Sequence, residues 1–122
     1  MPAATLSIPP SVEHVRTARL VAVAAARRAG LDEETVDDVR LAVGEAVARA
    51  VLRHGAAEVA APVDVVVRDD GHAFEVEVHD RTDPSVPDDD DGVALALVRA
   101  VVPETRADTG SVTLVWPSDR TT

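Results

Sequence analysis

Between residues 36 and 78 the apolar period of this chain changes from that of a helix to that of a strand. Val36, Val39, Val43, Val47 and Ala50 recur at three- and four-residue spacing and make one stripe on a helix. Val63, Val65 and Val67, then Phe74, Val76 and Val78, recur at every second residue, with polar residues such as Asp64, Arg68, Glu75, Glu77 and His79 among the alternate positions. Such alternation gives a strand one buried and one polar face. Asp69-Asp70-Gly71 between the two runs reads as a hairpin turn. A chain that must bury both a helix stripe and one face of a hairpin has few solutions. The simplest stacks helices on one face of a sheet.

The flanking sequence extends this pattern. Thr5 to Ile8 reads as a short strand stopped by Pro9-Pro10. Ser11 is placed to cap a helix from Val12 to about Ala29, with Gly30 at the position after its end. Asp32 caps a second helix that starts on Glu33 and Glu34 and runs to about His54, where Gly55 ends it. Leu31 and Val36 are spaced as a hydrophobic staple. Arg81 to Asp91 is a loop rich in Asp and Pro, and Gly92 to Val102 reads as a short apolar helix stopped by Pro103. Thr105 to Asp108 and Val112 to Trp116 form a last hairpin turned at Thr109-Gly110. The expected fold is α+β: a two-layer sandwich with an antiparallel or mixed sheet and helices on one face. One domain is expected over 1–122, ordered from about 5 to 117.

Composition narrows the function. One Phe, one Trp and no Tyr leave a core of Val, Ala and Leu and almost nothing on which a base can stack. A net charge of −10 repels nucleic acid and anionic lipid and favours basic partners. There are no cysteines and, all 12 basic residues being Arg, no lysine for a phosphate loop or a Schiff base. The N-terminus lacks the charged and apolar regions of a signal peptide, and the apolar run Leu20 to Ala26 is too short to span a bilayer. A cytoplasmic protein without nucleic-acid or membrane partners is expected. His14, His54, His72 and His79 share no ligand spacing; they read as surface or partly covered residues, and no metal site is expected.

The stretch Asp38-Val39-Arg40-Leu41-Ala42-Val43-Gly44-Glu45-Ala46-Val47-Ala48-Arg49-Ala50 resembles the N-box helix of RsbW- and SpoIIAB-type anti-sigma factors. These are small serine kinases of the histidine-kinase-like ATPase (GHKL) superfamily, with a helix of the form L-x-x-x-E-x-x-x-N-A. The resemblance covers Thr5 to Trp116 and includes the order of elements. It implies that Glu45 is the catalytic base. It puts Arg49 where the family has the Asn that ligates magnesium, and Arg offers no acceptor to a cation. Glu45 and Arg49 are also spaced for an ordinary i,i+4 ion pair, which is the favoured reading of the two.

The family's D-x-G-x-G loop becomes Asp80-Arg81-Thr82-Asp83-Pro84. Asp80 keeps the adenine-binding position and both glycines are gone. As a plain turn acid, Asp80 needs no nucleotide. The helix-opening G-x-G-L becomes Gly92-Val93-Ala94-Leu95, preceded by the acids Asp88 to Asp91, which repel phosphate. The final Gly-Thr becomes Gly110-Ser111, which also reads as a hairpin turn. ATP and magnesium, cofactors by resemblance, are thus expected to bind weakly or not at all. The register on Glu45 places Arg19 where the family has an Arg that grips an acidic group of the sigma factor, with Arg16 on the same helical face. The implied function is an anti-sigma factor that sequesters a sigma factor and is released by an anti-anti-sigma (STAS) partner. The alternative is an active serine/threonine kinase that phosphorylates that partner. A homodimer is a further expectation from the resemblance.

Overall fold

Residues 3–83, 85–86 and 92–117 are described by a computed structural model. Five strands make one sheet: β1 (Ala3–Ile8), β2 (Val63–Asp69), β3 (Ala73–His79), β4 (Glu104–Asp108) and β5 (Ser111–Pro117). Their order is β1-β2-β3-β5-β4, and every pair is antiparallel, so the mixed alternative does not arise. The register places Val65 opposite Val78 and Val67 opposite Val76. Phe74 faces Trp116, and Val76 faces Leu114. These side chains are buried together with the helix stripe Val36, Val39, Val43, Val47 and Ala50 in one core. Each valine or leucine taken fully from water contributes about 1.5–3 kcal/mol, so a core with a single Phe still suffices. The opposite face alternates with it and carries Asp64, Arg68, Glu75, Glu77 and Arg106.

Three helices cover the apolar face: α1 (Val15–Arg28), α2 (Glu33–Ala56) and α3 (Val93–Val101). α2 is central and packs against both α1 and α3. The first helix is shorter than its sequence suggests, because Val12–His14 forms a 3₁₀ turn ahead of it. Ser11 does not cap it; its hydroxyl bonds Glu13 at 3.2 Å. Asp32 does cap α2, accepting from the Thr35 N–H at 2.8 Å.

Gly55 does not end α2, which continues to Ala56. The reason is a closure one turn further on. Val59 N–H bonds the His54 carbonyl (2.8 Å) and Glu58 N–H bonds that of Gly55 (3.2 Å), with Glu58 left-handed at φ +57°. α1 closes in the same way through Gly30, at φ +89°. The same Schellman geometry is thus met once by a glycine and once by a glutamate.

Candidate functional site

Glu45, Arg49 and Arg53 are four residues apart and share one face of α2. Glu45 and Arg49 are half-buried. One turn on, the Arg53 side chain is 7% exposed and lies 3.6 Å from Asp80 Oδ2 through its Nε. Nε also donates to Thr82 Oγ1 at 3.2 Å. One terminal nitrogen donates to the Asp83 carbonyl at 3.1 Å and the other to that of Val86. The guanidinium is thus satisfied by the segment that follows β3, in the fixed fork that suits it.

Asp80 is engaged on both oxygens. Oδ1 accepts from the Thr82 N–H (3.0 Å) and hydroxyl (2.6 Å), while Oδ2 faces Arg53. Its side chain is also 7% exposed. The Asp80 N–H donates to the Gly110 carbonyl at 2.9 Å. A Cβ at Gly110 would stand 3.2 Å from the Asp80 carbonyl oxygen, and φ there is +73°, so both space and backbone favour glycine.

His54 is wholly buried, against the expectation of a surface or partly covered residue. Its Nε2 accepts from the Arg81 N–H at 2.9 Å, which requires a lone pair there. The ring proton therefore sits on Nδ1 and donates to the Ala61 carbonyl at 3.0 Å. The last turn of α2 thus fastens both neighbouring loops, one through Arg53 and both through His54.

The remaining candidates are less closely joined. Gly92 caps α3 at φ +85°, its carbonyl accepting from the Ala96 N–H at 3.0 Å. Asp88 to Asp91 lie outside the described residues. Ser111 alternates with buried Val112 and pairs with His79 and Asp108, which places it on the uncovered face of the sheet. On that face a cavity of about 400 Å³ is lined by Asp64, His79, Asp80, Arg81 and Gly110 among others. The Ser7 hydroxyl, and then Arg81 at 2.7 Å, hold the Asp64 carboxyl below the usual carboxylate range. Arg16 and Arg19 lie elsewhere, on exposed positions of α1. With Leu20, Val23 and Arg40 they line a cleft of about 200 Å³ between α1 and α2.

These residues do not fit a magnesium nucleotide in the way the resemblance implies. Asp80, at the position the resemblance assigns to adenine, is already ion-paired and hydrogen-bonded inside the chain, and Arg49 cannot ligate a metal. No cluster of three or more His, Cys, Asp or Glu suited to a metal ion occurs among the described residues. Arg53, His54 and Arg40 were not recognised from sequence. The available signal was the four-residue step from Glu45 through Arg49 to Arg53, but Arg and His in the last turn of a helix read equally as partners of the helix dipole.

Residues 8–116 match the family model of the histidine kinase-like ATPase domain. Among solved structures, the fold is similar to the RsbU and RsbW domains of Rv1364c from Mycobacterium tuberculosis, with a TM-score of 0.71 and 23% identity. The match covers 96% of this chain and 32% of that one, so the chain spans about a third of that structure. No protein of curated function matches. Among the described residues no helix is long and apolar enough to cross a membrane. With nearly its whole length matched, the chain belongs to the histidine kinase-like ATPase domain family.

Proposed function

We propose that this chain is an RsbW-like regulator: an anti-sigma factor that sequesters a sigma factor by occlusion and releases it to an anti-anti-sigma partner of the STAS type. Binding, and not phosphoryl transfer, is its mode of action. The observation that carries this reading is the buried Arg53–Asp80 pair, which consumes within the chain the carboxylate that would otherwise read adenine. Phosphoryl transfer depends on a positioned γ-phosphate and on neutralisation of its charge. With Arg49 at the metal-ligand position and Thr82 and Ala94 replacing glycines, Glu45 has no positioned group on which to act. The exposed Arg16 and Arg19 supply a cationic contact surface for an acidic partner.

The test is a pull-down against a panel of the sigma factors of the source organism, run with and without ATP and magnesium, together with a radiolabelled phosphate-transfer assay on its STAS proteins. One sigma factor should be retained equally under both conditions, and no STAS protein should acquire label. Label transfer that is lost in Glu45→Ala would establish the kinase instead.

A further inference from the structure

The C-terminal half of α1 is rich in alanine, and the edge strand β1 opens on two more. Where these elements meet, small side chains face each other and the two layers do not close. Ala25 and Ala29 of α1, Ala3 and Ala4 of β1, Val67 and Phe74 line a cavity of about 290 Å³. Its floor belongs to the core: Phe74, Val67 and Ala29 are 0%, 4% and 8% exposed. A gap with apolar walls forfeits packing that a larger side chain in place of Ala25 or Ala4 would supply.

The polar lining consists of Arg28, Arg68 and Asp69, and these differ in what they can still offer. Arg68 is paired with Glu77. Asp69 accepts from the Gly71 N–H at 3.1 Å and has a further partner. Arg27, next to Arg28 in the chain, is held by Glu33 at 2.9 Å. Arg28 is exposed and makes no ion pair among the described residues. An apolar floor that reaches the core thus lies beside an uncommitted guanidinium.

We propose that this cavity, between the last turn of α1 and the start of β1, binds a small apolar carboxylic acid. The hydrocarbon lies on Phe74, Val67 and the alanines, and the carboxylate pairs with Arg28, whose two parallel donors suit it. Apolar walls with a few placed polar groups are the general character of small-ligand sites. At the roughly 30 Å³ that a water occupies, the space holds on the order of ten non-hydrogen atoms, which favours a free acid over a peptide segment. None of the lining residues takes part in the Arg53–Asp80 contact or lies on the Arg16–Arg19 surface. The site is therefore independent of the proposed function and does not fall with it.

The experiment titrates octanoate, and octylammonium as its counterpart of opposite charge, against wild type, Arg28→Ala, Arg28→Lys and Ala25→Leu, with thermal melts in parallel. Binding is read as calorimetric heat and as a change in the emission of Trp116, whose ring lies 6.0 Å from that of Phe74. Octanoate should saturate wild type with a dissociation constant on the order of 1 mM or below. It should bind more tightly than octylammonium, against the pull of a chain of net charge −10. Arg28→Ala should weaken octanoate about fivefold with little change in melting temperature, and Arg28→Lys should keep most of the affinity. Ala25→Leu should abolish binding and melt at the same or a higher temperature, because its side chain extends into the gap. If it melts lower, Ala4→Leu fills the cavity from the strand side and should give the same loss. Tighter binding of octylammonium, wild-type affinity for octanoate in Arg28→Ala or in both filling variants, or no saturation by about 10 mM octanoate would overturn the proposal.

Discussion

At the C-terminal end of α2, Arg53 is buried and every direction of its guanidinium is answered by Asp80, Thr82 or a loop carbonyl. Beside the N-terminal half of the same helix, Arg16 and Arg19 extend from α1 toward solvent without an ion pair among the described residues. The two regions place the same residue type in opposite states. A satisfied, desolvated cation holds a loop and has nothing left to offer a ligand. An unsatisfied, solvated one contributes almost nothing to the fold and is available to a partner. The contrast separates the proposed partner surface at the α1–α2 cleft from the C-terminal end of α2, where Arg53 holds the segment after β3.

The largest test of this contrast is Arg53→Ala. It strands the Asp80 carboxylate and two loop carbonyls, and breaking a buried pair from one side costs about 3–5 kcal/mol. Urea denaturation should show that loss, and Asp80→Asn in the same background should recover part of it. A loss below about 1 kcal/mol would place the pair on an effectively solvated surface. A smaller effect of opposite sign is expected at Glu58. Its left-handed backbone at φ +57° opposes an L side chain by about 1–2 kcal/mol. Glu58→Gly should therefore raise stability by about 1 kcal/mol, measured in the same way, although Gly also loosens the unfolded chain.

Acid should act in part through Asp64 on the uncovered sheet face. The Asp64 carboxyl is depressed in the fold, first by Ser7 and then by Arg81. A depressed group contributes stability above its unfolded pKa and loses it as pH falls through the folded one. The melting temperature should thus be insensitive to Asp64 above about pH 5 and fall below about pH 4. Arg81→Ala should flatten part of that fall. The smallest effect on stability is expected for Arg19→Glu, within about 0.5 kcal/mol because the site is exposed. Under the proposed function the same substitution should abolish retention of a sigma factor, a separation of binding from folding that Arg53→Ala cannot give.

The fold was largely legible because its signals are local and periodic. The valine stripe of residues 36–47, the alternation through Val78 and the Asp32 cap each determine their element within a few residues. The closing geometry of α2 was not, because Gly55 reads as a stop and Glu58 gives no sign of adopting a left-handed backbone. The site was legible only as a set of losses. Arg49 and Thr82 could be read as absent metal ligand and absent glycine. That Arg53 crosses to Asp80, Thr82, Asp83 and Val86, or that His54 reaches Arg81 from inside the core, depends on contacts 27 to 33 residues apart in sequence. Spacing along one helix carries no information about them.

The central claim, that the nucleotide end of α2 is closed by the chain's own arginine, is tested most directly by calorimetric titration of the wild-type protein with ATP and magnesium. No saturable heat should appear below about 1 mM nucleotide, equivalent to a binding free energy weaker than about −4 kcal/mol. Saturable binding in the micromolar range, lost in Asp80→Asn, would show instead that Asp80 still reads adenine and that Arg53 does not close the site.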